Sequence, residues 1–202
     1  MDDETRSQID GLVGNLFSMV IDGIGRTTYA FLDHDREAAR ALIARDTELD
    51  MLQDEIEELV EAKLVADDPD LRYLLSVVRI VPELERCGDL VELIALRAAH
   101  GLVETLSLQA RNLVEQMGTI GERMWWEASD AYVTRRPETA TVLRRLDDQL
   151  DDLHVQLTAV LAEDELATAA AIEMGLIARF FERLGDHAVN VVRRVPAMTR
   201  VG

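Results

Sequence analysis

Two carboxylates four residues apart, with a glycine between them, occur twice in this chain. Glu182-Arg183-Leu184-Gly185-Asp186 lies near the C-terminal end, and Glu85-Arg86-Cys87-Gly88-Asp89 precedes it at an offset of 97. On a helix, positions i and i+4 stack as neighbours on one face. At about 100° per residue, Glu182 falls among Met174, Ala178, Gly185, Val189 and Val192, and Glu85 among Leu74, Val78 and Val81. A glutamate in an apolar stripe is costly unless it is protonated, paired or bound to a metal. Two further pairs repeat the spacing, Asp46/Asp50 and Asp147/Asp151, on the shoulder of the stripes through Leu42 and Leu143. If pairs on consecutive helices face each other, four carboxylates converge in each half. These are Asp46, Asp50, Glu85 and Asp89, and then Asp147, Asp151, Glu182 and Asp186. Two like charges ~5 Å apart repel by ~3 kcal/mol at an effective dielectric of about 20, and a bound cation removes that repulsion. All-oxygen ligation suits Mg²⁺, Mn²⁺, Ca²⁺ or iron better than a thiolate zinc site does. One such pair alone reads as a solvated face, with Arg86 or Arg183 as ion-pair partners. Four pairs in duplicate positions are expected to bind metal. Gly88 and Gly185 leave room beside the pairs for ions or for close approach of a neighbouring helix.

Helical spacing of apolar residues predicts the elements that carry these pairs. The first helix spans about Thr5 to Leu32, and Asp33 or Asp35 is placed to cap the second, which is expected to run unbroken to about Ala66. Asp67-Asp68-Pro69-Asp70 ends it. The third helix spans Leu71 to Ala99, with Pro82 expected to kink it or to end a segment there. After His100-Gly101 the pattern restarts, with helices over about Leu102 to Val133, Glu138 to Leu161 and Leu166 to Val195, closed by Pro196. Phe31 through Asp50 aligns without gaps on Tyr132 through Asp151 at an offset of 101. The chain is therefore expected to be all-α: two tandem, duplicated three-helix bundles of six long helices, over residues 1–100 and 101–202.

Composition narrows the function classes. Hydrophobic content of 48% with 30% charged residues describes a folded, soluble chain, and four prolines with few aromatics favour helices. A net charge of −18 repels nucleic acid and anionic lipid and attracts cations or basic surfaces. The lone cysteine, Cys87, cannot form an internal disulfide, which fits a reducing cytoplasm. The acidic Met1-Asp2-Asp3-Glu4 start lacks the features of a signal peptide, and no apolar run reaches the ~18 residues of a membrane span.

The duplicated acidic motifs, the run Glu182-Arg183-Leu184-Gly185-Asp186-His187-Ala188-Val189-Asn190 and the Asp70-Leu71-Arg72 opening of the third helix resemble the PhoU family of phosphate-signalling regulators. The resemblance spans nearly the whole chain and both halves. It implies two three-helix bundles that bind metal ions (iron, manganese, magnesium or zinc) through the acidic motifs, in a non-enzymatic cytoplasmic regulator. Its implied partners are the ATPase of the phosphate ABC transporter and the sensor histidine kinase, with the starvation response held off when phosphate is plentiful. It leaves room for a homodimer and implies neither nucleic-acid binding nor membrane insertion. Leu90 and Leu93 depart from the family pattern where the first-half counterparts of His187 and Asn190 would stand. His187 projects off the apolar stripe and reads as a surface or interface residue. His154 reads as a core histidine or an extra ligand. Of Trp125 and Trp126, one reads as core and the other as an exposed anchor. A different class, a ferritin-like or carboxylate-bridged oxidase or phosphohydrolase, also uses helical carboxylates. The oxidase wants two Glu-x-x-His motifs in a four-helix bundle, and only Asp151-x-x-His154 approaches one.

Overall fold

A computed structural model describes residues 1–65, 70–136 and 138–198, without the side chain of Asp46. The break expected at Asp67-Asp68-Pro69 therefore lies outside the described residues. The described helices are α1 (Asp3–Leu32), α2 (Arg36–Ile43), α3 (Asp46–Val65), α4 (Leu71–Ala99), α5 (Leu108–Thr134), α6 (Thr139–Glu163) and α7 (Thr168–Arg194). Single 3-10 turns at Leu102–Thr105 and Val195–Met198 complete the set. At 1.5 Å rise per residue, the longest helices extend ~40 Å or more.

Local chemistry accounts for the ends. Asp2 caps α1 by accepting from Thr5 N at 2.7 Å. Asp35, one of the two candidates, caps α2 through Glu37 N and Ala38 N at 3.1 and 2.9 Å. Ser107 caps α5 by accepting from Ala110 N. This is why α5 begins six residues later than its apolar spacing suggested, behind a 3-10 turn. Pro82 neither ends α4 nor divides it, since the helix is continuous from Leu71 to Ala99.

The expected second helix is broken between Ile43 and Asp46, and the duplication shows why. Arg45 occupies the place that Leu146 holds in α6, where the side chain is buried. A guanidinium cannot replace that leucine in the core without a partner. Arg45 instead reaches Asp22 of α1, and the chain takes a tight turn with Arg45 N bonded to Leu42 O at 3.0 Å. The α6 helix, with leucine at that place, runs through.

The α2–α3 arm packs on α1 and α4, and α6 packs on α5 and α7. The two groups meet through α1 against α5 and α4 against α7, so α1, α4, α5 and α7 form the middle and the aspartate-bearing helices flank it. One hydrophobic cluster runs through both halves. Phe17 of α1 lies against Trp125 and Tyr132 of α5, with ring centroids 6.0 and 5.5 Å apart. Burying each large apolar side chain contributes roughly 1.5–3 kcal/mol, so the shared core ties the halves together. A polar knot closes one end of this seam. Asp10 Oδ1 accepts from Tyr73 OH at 2.8 Å, Tyr132 OH at 2.6 Å and Arg135 Nη2 at 2.7 Å. Arg135 caps α5 in the left-handed region at φ 57°, which sends its side chain back over the Tyr132 ring.

Candidate metal centre

Each acidic pair sits where an outer helix meets a middle one. In the second half, α6 brings Asp147 and Asp151 to Glu182 and Asp186 of α7. In the first, α3 brings Asp50 to Asp89 of α4. Close helix approach at the two glycines sets both arrangements. A Cβ on Gly88 would stand 2.6 Å from Leu49 Cδ1, and a Cβ on Gly185 would stand 2.8 Å from Leu150 Cδ2. Leu49 and Leu150 are duplicates of each other, as are the glycines. The space beside each pair is thus filled by a leucine from the neighbouring helix. At Gly185, Asp147 Oδ1 also lies 3.3 Å from where that Cβ would be.

Glu182 lies within its stripe as the helical wheel places it, with its side chain 13% exposed and its Oε2 buried. Glu85 is half-buried at the edge of its stripe, and Val78, which shares its face, is 42% exposed. Asp50, Asp89, Asp151 and Asp186 are exposed, and Asp147 is half-buried. Each acidic surface therefore opens to solvent on one side.

The electrostatics record which acids feel one another. Burial pushes the Asp147 carboxyl up to about 6, with the charges of Asp151, Asp186, Asp148 and Glu182 adding to the shift. Burial also raises Glu182. Arg179 opposes that shift, Asp186 and Asp151 reinforce it, and His154 opposes it. In the first half burial raises Asp89, the charge of Asp50 adds to this, and Arg86 opposes it. Arg179 forms an ion pair with Glu182 Oε2, although that oxygen receives no well-aligned hydrogen bond; the contact is electrostatic rather than directional. Arg86 lies 3.9 Å from Glu83.

Among the described residues, no three His, Cys, Asp or Glu side chains stand close enough together, as placed, to hold one ion. The second-half donors are of the type that suits a hard cation, but they are not gathered around one point. They are carboxylate oxygens that repel one another, and burial, with that repulsion adding to it, raises the Asp147 carboxyl above its ordinary range. Asp147, Asp151, Glu182 and Asp186 would hold the ion, whose chemistry here is charge neutralisation.

Cys87 is fully buried beside the first pair, and burial with the nearby charges of Glu83, Asp89 and Glu85 pushes its thiol well up. That is the environment of an inert thiol. Trp125 is buried and donates from Nε1 to Leu184 O at 3.1 Å, while Trp126 is 60% exposed. The division expected of the two tryptophans therefore holds.

His187 is an interface residue, one of the two places its sequence position allowed, and not a surface one. It is buried, and its Nδ1–H donates to Glu83 Oε2 of α4 at 2.6 Å, across the seam between the halves. Asn190 Nδ2 adds a longer bond to the same oxygen at 3.4 Å. Sequence reasoning overlooked Glu83 altogether. The only local signal was its position next to Pro82.

The PhoU domain model matches residues 13–98 and 114–195. Two curated proteins of Mycobacterium tuberculosis are similar over nearly the whole chain. "Phosphate-specific transport system accessory protein PhoU homolog 2" is 30% identical, covering 95% of this chain and 93% of its own length. "Phosphate-specific transport system accessory protein PhoU homolog 1" is 31% identical, covering 94% and 88%. The crystal structure of PhoU from Pseudomonas aeruginosa superposes with a TM-score of 0.89 at 23% identity over 98% of both chains, a likeness of fold.

Proposed function

The chain belongs to the PhoU family, and from that premise we propose that it is a non-enzymatic accessory regulator of a phosphate-transport system. In this reading it works in the cytoplasm and damps the phosphate-starvation response through the transporter ATPase and the sensor kinase. The observation that carries the reading is the family match over both halves of a chain whose duplicated helices each present an acidic pair. Nothing in the described helices is long and apolar enough to cross a membrane, which fits a protein that works on a membrane transporter from outside the bilayer. The acidic pairs would hold cations that let outer and middle helices sit together without repulsion, keeping the partner-binding faces in one arrangement. Exposed Trp126 supplies an amphipathic anchor of the kind enriched at protein interfaces.

The test is a pull-down from host lysate with the chelator-stripped chain and with the Mn²⁺-loaded chain. Recovery of the transporter ATPase or the kinase is expected, and recovery only with metal would make the ions part of the switch. Enrichment of neither, with oxygen consumption or phosphoester hydrolysis by the purified metal-loaded chain, would overturn the reading in favour of a carboxylate-bridged enzyme.

A further inference from the structure

Three large apolar side chains stand in water on one stripe of α4. Leu71, Leu75 and Val78 are 51%, 40% and 42% exposed, and at i, i+4 and i+7 they share a face of the helix. The stripe continues through Pro82 and Glu85 to Asp89. At about 100° per residue, Gly88, which meets Leu49 of α3, lies to one side of it. The exposed Arg72, Arg79 and Arg86 lie to the other side.

A row of acids runs beside the stripe on α3. The approach of Leu49 to Gly88 and the short connection from Val65 to Leu71 make α3 antiparallel to α4. Asp50 stands where its charge reaches Asp89. Asp54, Glu57 and Glu61 follow Asp50 along the same face of α3, all of them exposed. The row therefore runs from the level of Asp89 to that of Val78. Lys63, the only base on α3, is engaged with Asp2 of α1 at 3.1 Å, and Glu57 accepts from Gln53 Nε2. Like charges three and four residues apart work against the helix that carries them, so a cationic group laid along this row stabilises it.

The duplication makes this face one-sided. At the offset of 101, the counterparts of Asp54, Glu57 and Glu61 are Val155, Thr158 and Ala162. The alignment holds at this level, since buried Ile56 and Val60 match buried Leu157 and Leu161. At the offset of 97, the counterparts of Leu71, Leu75 and Val78 are Thr168, Ile172 and Gly175. Asp50 keeps its counterpart, Asp151, but the acid row and the apolar stripe together belong to the first half alone.

Apolar anchors at i, i+4 and i+7 beside a line of acids suit an amphipathic helix with a basic flank. A second copy of this chain is disfavoured, because a net charge of −18 repels its like and draws in a basic partner. We propose that the α3–α4 face receives an amphipathic helix of a partner protein, with apolar side chains on Leu71, Leu75 and Val78 and lysines or arginines reaching Asp54, Glu57 and Glu61. Acidic side chains on its other flank would meet Arg72 and Arg79. The docking needs no metal ion and does not depend on what system the partner serves.

The probe is a fluorescently labelled helical peptide of about 18 residues, the length that covers Leu71 to Asp89, with leucines on one face and lysines along one flank. Fluorescence anisotropy is followed as the full chain is added. Saturable binding is expected, about tenfold or more tighter than that of a shuffled peptide of the same composition. Leu75→Ser/Val78→Ser and Asp54→Asn/Glu57→Gln/Glu61→Gln are each expected to weaken it about tenfold or more, and the second should also flatten its dependence on salt. Ile172→Ser, at the duplicate of Leu75, is expected to leave binding unchanged. All these side chains are exposed, so each variant should keep the fold, which circular dichroism checks. No binding, equal binding of the shuffled peptide, or an affinity that survives both groups of substitutions would overturn the proposal. So would a dimer of the unaltered chain that Leu75→Ser/Val78→Ser separates in sedimentation, because the face would then belong to a second copy.

Discussion

Asp147→Asn tests whether the acidic faces are sites of repulsion that a cation relieves. The carboxyl ionises near 6 in the folded chain against an ordinary 3.8. Because the folded value is the higher one, the folded state holds the proton more tightly. The stability this group contributes is fully present below about 4 and is lost as pH rises through about 6. At full value the difference corresponds to roughly 3 kcal/mol against the native state at pH 7. Asp147 is only half-buried, so solvent screening reduces this to about 1 kcal/mol. Asparagine keeps the shape and removes the charge. The chelator-stripped variant should therefore melt about 2–4 °C above the unaltered chain at pH 7.5, and the two should converge near pH 4. Added Mn²⁺ should raise the melting temperature of the unaltered chain, because a ligand that prefers the native state stabilises it, and should raise that of the variant less. Thermal melts at the two pH values, with and without metal, read all of this. A stripped variant that melts below the unaltered chain at pH 7.5 would show that Asp147 makes a favourable contact, and the repulsion argument would fail.

Two further substitutions probe the frame around the site. Gly185→Ala and Gly175→Ala both gain helix propensity of about 1 kcal/mol within α7, but a Cβ meets nothing within 4 Å at Gly175 and meets Leu150 Cδ2 at 2.8 Å at Gly185. Overpacking costs about 1–3 kcal/mol, so Gly175→Ala should melt higher than Gly185→Ala by several degrees; the reverse order would mean that α6 does not approach α7 so closely. Asp10→Ala leaves Arg135 and two tyrosine hydroxyls without their shared acceptor. Breaking a buried pair costs about 3–5 kcal/mol, lowered to about 2 kcal/mol by the partial exposure of Asp10, so urea denaturation should show a loss of that size, and a loss below about 0.5 kcal/mol would demote the knot to an ordinary surface contact.

The sequence made the helices and the duplication legible because both leave local signals. Apolar spacing delimits α4 at the residues observed, and the repeated Glu-Arg-x-Gly-Asp pins α4 to α7. The break at Arg45 was hidden because a charged residue on a helix shoulder reads as exposed. Only the packing shows that its duplicate, Leu146, is a core position. The burial of Glu85 was overstated because a helical wheel gives direction and not the width of the neighbouring helix. Glu85 stays half-buried, while the side chain of its counterpart Glu182 is only 13% exposed. The Glu83–His187 bond joins residues 104 apart in sequence, so nothing local beyond the neighbouring Pro82 marked it. His187 looked peripheral only because its own helix was considered without α4.

The most direct test of the central claim is expression of phosphate-starvation genes in host cells grown in rich phosphate, with the gene for this chain deleted and then restored. The account predicts that deletion leaves those genes switched on and that the unaltered chain switches them off again. It also predicts that Asp147→Asn/Glu182→Gln, folded and present at the same level, does so incompletely. Normal repression in the deletion strain would contradict the account, because a regulator of phosphate uptake cannot be absent without the response changing.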